Sequence, residues 1–265
     1  MTTSLAEATD LVLRYRSSTA VAASSFTLPM GGITAVIGPN GSGKSTVLHA
    51  LSGLMAPAAG TLSVLGVSPI EARRRVSFVL QSTAVPAGTP LTVAETVAMG
   101  RYPSLGMLRR MRAADRARVC LAMRQLDITD LARRHLTELS GGQRQRVYVA
   151  QGIAQDHRVL LLDEPLTGLD LVSARTIDHI IHTERDRGCS VVLTTHDLDE
   201  ARAADHVVLM SGRVVASGLP SDVLTRDNLE VAYGLGALHA SGDAETPAVF
   251  LDDPAHPASE DIGCP

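Results

Sequence analysis

Short runs of aliphatic residues alternate with amphipathic stretches along most of this chain. Ile33-Thr34-Ala35-Val36-Ile37 is a β-branched run that stops at Gly38, and Ser45 to Leu54 then reads as a helix. Later runs at Thr61–Leu65, Val76–Leu80, Val159–Leu162, Val191–Thr195 and Val207–Met210 predict further strands. The later ones are separated by helical patterns such as Ser173–Thr183. Strands alternating with helices predict an α/β fold with a largely parallel central sheet. The stretch from Leu11 to Leu28, with Thr61–Leu65, lacks that alternation and predicts a smaller antiparallel β layer.

Between Gln81 and Leu139 the pattern changes. No good strand is present, and two helices are expected, near Val93–Met99 and over Arg112–Leu126. This reads as an inserted α-helical subdomain, residues 82–138, between a first part of the core (1–81) and the rest of it (139–235). Arg101, Arg109, Arg110, Arg112, Arg116 and Arg118 crowd its start, either as a solvated helix face or as a docking surface for a partner or membrane headgroups. From Ser241 onward the chain holds six acidic residues, four prolines and no basic residue, which predicts a disordered tail over 236–265. His239 and His256 are isolated and do not make a metal site.

Composition narrows the function. At 265 residues and 45% apolar the chain can bury a sizeable core, and with 3% aromatics that core is aliphatic. A net charge of −4 argues against a nucleic-acid partner. Cys120, Cys189 and Cys264 are widely spaced and suggest no disulfide framework. No signal peptide and no run of about 20 apolar residues is apparent, so spanning segments would come from a partner.

Of 24 basic residues one is a lysine, Lys44, in Gly38-Pro39-Asn40-Gly41-Ser42-Gly43-Lys44-Ser45. This is a phosphate-binding loop between a strand and a helix, where a compact ammonium reaches the β- and γ-phosphates of a nucleoside triphosphate. Backbone N–H groups and the helix N-terminus cradle the phosphates. Ser45 is placed to ligate Mg²⁺, and Thr46 to reach the α-phosphate.

Val159-Leu160-Leu161-Leu162-Asp163-Glu164-Pro165 is an aliphatic strand delivering two carboxylates to its C-terminal end. Asp163 would hold Mg²⁺ through water, and Glu164 would be the general base for the attacking water. A third signal, Leu139-Ser140-Gly141-Gly142-Gln143, opens a helix about a hundred residues after the loop. Its glycines let backbone amides approach an anion, and Ser140 adds a hydroxyl.

This ordered set resembles the ATP-binding-cassette (ABC) ATPases over residues from about 5 to 235. Gln81 resembles the glutamine-loop residue, Leu169-Asp170 the D-loop, His196 the switch histidine, and Tyr15 the aromatic that stacks on adenine. The resemblance implies a P-loop NTPase core that uses ATP and Mg²⁺. It implies a head-to-tail homodimer in which each ATP lies between one copy's phosphate loop and the other's Ser140, Gly141, Gly142 and Gln143. Gln81 would sense Mg²⁺ and water, and His196 would hold the γ-phosphate and orient Glu164.

The resemblance also implies a separate integral-membrane permease, an extracytoplasmic substrate-binding protein and a place on the cytoplasmic face of the membrane. Val97-Ala98-Met99-Gly100-Arg101-Tyr102-Pro103 is similar to a segment shared by importers of metals and iron chelates. The Leu224-to-Gly234 ending, the Asp163-to-Asp170 run and Asp252-Asp253-Pro254-Ala255-His256 are closer to the zinc/manganese branch. The expected function is therefore ATP hydrolysis coupled to zinc or manganese import. The alternatives are a siderophore or cobalamin importer and a non-transport ATPase of iron–sulfur assembly. Gln151 stands where many members carry arginine, which leaves the local ion pairing open.

Overall fold

The computed structural model describes residues 4–16, 18–81, 90–105 and 110–234. The tail over 236–265 and Arg109 lie outside them, with the expectations placed there. Three parts surround the nucleotide-binding candidates: a central sheet, an antiparallel sheet against one of its faces, and a group of helices against the other.

The central sheet has the strand order β5-β6-β7-β3-β8-β9. Its members are β3 (Ile33–Ile37), β5 (Val76–Val79), β6 (Val159–Leu162), β7 (Ser190–Thr195), β8 (His206–Met210) and β9 (Val214–Gly218). All neighbouring pairs are parallel except β8 with β9. Each of the inner strands β3, β6 and β7 is buried throughout. That explains why they hold no charged residue and show no polar alternation, with β6 aliphatic throughout, since a strand covered on both faces needs none. The period of two still sorts the side chains. Leu160 and Leu162 enter one core cluster with Ile33, Ala35 and Ile37, whereas Val159 and Leu161 enter the other with Val36.

The second cluster is closed by β1 (Ser4–Tyr15), β2 (Ser18–Pro29) and β4 (Ala59–Val64), an antiparallel sheet of order β2-β1-β4. It is tied to the central sheet where Ala22 N–H donates to Gly212 O at 2.8 Å and Val214 N–H to Ser24 Oγ at 3.0 Å. Beside it run α1 (Lys44–Leu51) and the single turn α2 (Pro69–Ala72).

The other cluster takes in the helices α3 (Val93–Met99), α5 (Ala113–Gln125), α6 (Gly141–Ala154) and α7 (Leu171–Asp186), while the short α4 (Tyr102–Leu105) adds no buried residue. The helices α8 (Leu198–Ala203), α9 (Pro220–Val223) and α10 (Arg226–Tyr233) follow. Thr92 starts α3 with a capping box to Glu95, so this helix carries its own start signal. Helices α3 and α5 pack on α6, whose far end reaches β5, where Ser77 Oγ donates to Gly152 O at 2.9 Å.

One expectation needs correction, and one strand carries no clear signal in the sequence. Arg101 was grouped with a surface patch or docking face, but it is 4% exposed. Its guanidinium bonds Asp115 Oδ1 (3.0 and 3.1 Å), Asp156 Oδ2 (2.9 Å) and the Ala154 carbonyl (2.8 Å). Arg101 thus places a cation at the C-terminus of α6, beside the position where Gln151 carries no charge. The edge strand β9 was not anticipated, because its half-exposed Val-Val-Ala-Ser-Gly sequence has neither a clean alternation nor an aliphatic run.

Candidate functional site

The C-terminal ends of β3, β6 and β7 lie side by side and carry the phosphate loop, the two carboxylates and His196 to one edge of the sheet. The loop needs its glycines. Gly38 (φ 148°) meets the Met210 carbonyl oxygen so closely that a Cβ there would overlap it, and Gly43 (φ 99°) would place a Cβ 2.7 Å from Val21. Ser42 N–H closes the turn on Pro39 O at 3.2 Å.

Lys44 begins α1 at 5% exposure, and its Nζ donates to Gly38 O (2.9 Å) and Pro39 O (3.2 Å). Burial lowers its pKa, and the Glu164 and Asp163 carboxylates oppose that shift. A depression of about 190 Å³ is lined by Asn40 to Thr46 with Ala20 and Glu164. Ser42 Oγ is buried there with no hydrogen-bond partner among the described residues. An orphan hydroxyl, a buried ammonium and glycine-shaped backbone together fit a triphosphate.

The carboxylates are set by their neighbours. Ser45 Oγ donates to Asp163 Oδ1 at 3.0 Å, and Thr194 Oγ1 donates to the same oxygen at 2.6 Å. Hydroxyl and carboxylate oxygens side by side are the hard donor set that suits Mg²⁺. Glu164 has φ 45°, in the left-handed region that a glutamate seldom adopts. Its N–H donates to Thr194 Oγ1 at 2.8 Å, and its Oε2 accepts from Gln81 Nε2 at 3.0 Å. Strain of this kind persists only where surrounding contacts fix it, and here it aims the carboxylate. Thr194 was read only as a strand residue, yet it organises both acids. Its sequence signal is weak, because β7 also carries Ser190 and Thr195 and one hydroxyl among three does not stand out.

The remaining candidates fall into three places. His196 is exposed, one residue past β7. Tyr15 ends β1 half-exposed, with its hydroxyl 2.9 Å from Nδ1 of His49 on α1. Ser140 caps α6, accepting from Gln143 N–H at 3.2 Å, while Gln143 Oε1 accepts from Ser140 N–H at 3.0 Å. Gly141 is exposed, with nothing within 4 Å of where its Cβ would stand.

Gly142, in contrast, is pressed onto Asp170 and Ser173. Asp170 caps α7, accepting from Ser173 N–H (2.9 Å) and Ser173 Oγ (2.8 Å), and these bonds hold its carboxyl below the usual range. None of the signature residues lines the loop depression of its own chain.

A groove of about 350 Å³ opens between the end of β5 and the helices α3 and α6, lined by Phe78, Leu80, Gln81, Met99, Pro103 and Tyr148 among others. Gln81 therefore faces this groove and also holds Glu164.

The sequence profile of the ABC transporter family matches residues 21–167. The chain is 38% identical over 226 residues, 85% of each protein, to the zinc transport system ATP-binding protein TroB of Treponema pallidum. It is 35% identical to the manganese transport system ATP-binding protein MntA of Synechocystis, covering 78% of this chain and 81% of that one. It is 38% identical to the ferric enterobactin transport ATP-binding protein FepC of Escherichia coli, covering 85% and 86%. A chain of a metal-chelate type ABC transporter in an inward-facing conformation superposes with a TM-score of 0.75 at 30% identity, covering 87% of this chain and 88% of that one.

Proposed function

The chain belongs to the ABC transporter family, and from that membership we propose that it hydrolyses ATP to drive import of zinc or manganese through a separate membrane permease. The observation that carries the reading is the joint placement of Ser45, Thr194 and Gln81 around Asp163 and Glu164, directly beside the phosphate loop. ATP binding follows from the family and fits the loop. No helix among the described residues is long and apolar enough to cross a membrane. The relatives are ATP-binding subunits of transport systems, which supports a peripheral place against a permease.

Lys44, the loop amides and Ser42 bind and orient the triphosphate, with Thr46 beside them. Ser45, Asp163 and Gln81 are the candidate holders of Mg²⁺, which when bound would neutralise phosphate charge. Glu164 takes the proton of the attacking water, and Gln81 holds its carboxylate in line. His196, exposed at the same edge, is the candidate for the γ-phosphate. Tyr15 is the candidate for the adenine ring, with the Asp170 cap bordering the nucleotide from the partner.

The signature residues Ser140 to Gln143 lie outside the chain's own loop depression, and this supports a head-to-tail pair in which each copy completes the other's site. The groove at Gln81 fits a helix of the permease, so its occupant can move the residue that holds the base. A substrate-binding protein outside the membrane would supply the ion.

The zinc and manganese relatives favour those cargoes. A second reading, import of chelated iron, is supported by the ferric enterobactin relative at equal identity. The test is elemental analysis of cells carrying Glu164→Gln in place of the wild type, in metal-limited medium. Selective loss of zinc or manganese is expected. Unchanged zinc and manganese with lost uptake of chelated iron moves the cargo to the second reading.

A further inference from the structure

At the ends of β6 and α7 away from the nucleotide, three side chains converge that the ATPase chemistry does not use. His157 precedes β6, Glu184 lies in the last turn of α7, and Cys189 leads into β7. Their ligand atoms all lie within 4.8 Å of one another. His157 Nε2 and Glu184 Oε2 stand 3.3 Å apart, with side chains 3% and 0% exposed. Both atoms are buried, and neither makes a well-aligned hydrogen bond among the described residues.

We propose that His157, Glu184 and Cys189 form a binding site for a zinc-class divalent cation, separate from the nucleotide site and independent of which ion the transporter carries.

The geometry has room for an ion. Nitrogen and oxygen donors about 2.0 Å from a tetrahedral zinc stand about 3.3 Å apart. The outer contacts are those of a ligand set. His157 Nδ1 lies 2.9 Å from Gln155 O, which can only accept, so Nδ1 carries the proton and Nε2 faces inward. Glu184 Oε1 is held by Arg187 Nη1 at 2.7 Å, which leaves Oε2 for the ion.

The chemistry selects the metal. One thiolate, one imidazole and one carboxylate suit zinc, whereas manganese prefers an all-oxygen shell. A pocket of about 370 Å³ borders His157, while its Nε2 and Glu184 Oε2 stay buried behind it. Its rim carries Arg75, Arg118, Arg158 and Arg187. These do not oppose the ion, because a dication with one thiolate and one carboxylate has no net charge.

The test uses the reduced, untagged full chain. Cobalt(II) is added first, as a spectroscopic stand-in, and zinc affinity is then read by competition with a chromophoric chelator. One equivalent of cobalt should give a thiolate charge-transfer band together with the visible bands of a tetrahedral site. Cys189→Ala should abolish the charge-transfer band and weaken zinc binding at least tenfold. Glu184→Gln should weaken zinc binding while the thiolate band remains. A variant lacking Cys120 and Cys264 should keep both signals. Absence of the band from the wild type, or its survival in Cys189→Ala, overturns the proposal and leaves the trio as a buried ion pair. X-ray absorption at the zinc edge of the loaded wild type should show one sulfur ligand. An all-oxygen and nitrogen shell would overturn the proposal without any variant.

Discussion

Thr194 donates its hydroxyl to Asp163 Oδ1 across 2.6 Å, and accepts the Glu164 N–H at 2.8 Å, from the strand beside the one that carries both acids. One buried hydroxyl thus fixes the Asp163 carboxylate and the left-handed backbone of Glu164. Thr194→Val keeps shape and removes both bonds. It leaves a buried N–H unpaired, a cost of about 1–3 kcal/mol. Denaturant unfolding should show that loss, and ATP turnover should fall at least tenfold with less change in KM. A Thr194→Val protein with wild-type stability and turnover would remove Thr194 from the site.

Glu164→Gln separates binding from chemistry. The amide keeps the side chain's size and cannot take a proton. Loss of a general base costs about 10²–10⁴ in rate. The variant should bind ATP and run as a dimer in size exclusion when ATP is present. A turnover near that of the wild type would take the base role away from Glu164.

The two signature glycines should behave differently. Gly141→Ala meets nothing within 4 Å, so its stability should stay within about 0.5 kcal/mol of wild type. Gly142→Ala drives a methyl into Asp170 and Ser173, and overpacking of this kind costs about 1–3 kcal/mol. Any loss of ATP-dependent pairing in Gly141→Ala, with the fold intact, then reports a contact made across the dimer. Equal melting of both variants would refute the packing argument.

Arg101 ties α5 to the end of α6, bonding Asp115, Asp156 and the Ala154 carbonyl together. Arg101→Met should cost about 3 kcal/mol or more, because it strands a buried carboxylate. Arg101→Lys should not rescue it, since an ammonium cannot reproduce the fork. The backbone N–H of Arg112, with Arg101, holds the Asp115 carboxyl below the usual range. Its contribution is therefore present above the unfolded pKa and is lost as pH falls through the lower folded value. The wild type should lose more stability than Arg101→Met on acidification from neutral pH.

What the sequence made legible follows from burial and local geometry. Val159–Leu162 is legible as a continuous aliphatic run and Ile33–Ile37 as a β-branched one, because strands covered on both faces show no polar alternation. The phosphate loop is legible because its spacing is local. Arg101 was not, since nothing in an arginine-rich stretch says which guanidinium meets Asp115 and Asp156. His157, Glu184 and Cys189 were not, because three elements meet there only after the sheet forms. Thr194 carried a weak signal, and its partners lie on a different strand, 30 and 31 residues away in sequence.

Tyr15 offers a test that separates two roles in one residue. Its hydroxyl bonds His49, and its ring is 47% exposed at the end of β1. If the bond to His49 were its purpose, Tyr15→Phe and Tyr15→Ala would act alike, because both remove the hydroxyl. If the ring stacks on adenine, Phe keeps the stack and Ala loses about 1–3 kcal/mol of it. The expected result is ATP affinity near wild type in Tyr15→Phe and at least several-fold weaker in Tyr15→Ala. Guanosine and adenosine triphosphates should suffer alike in Tyr15→Ala, because stacking reads the face of a base and not its edge. Equal affinities for ATP in the two variants would assign Tyr15 to packing against α1 and leave the adenine contact to another residue.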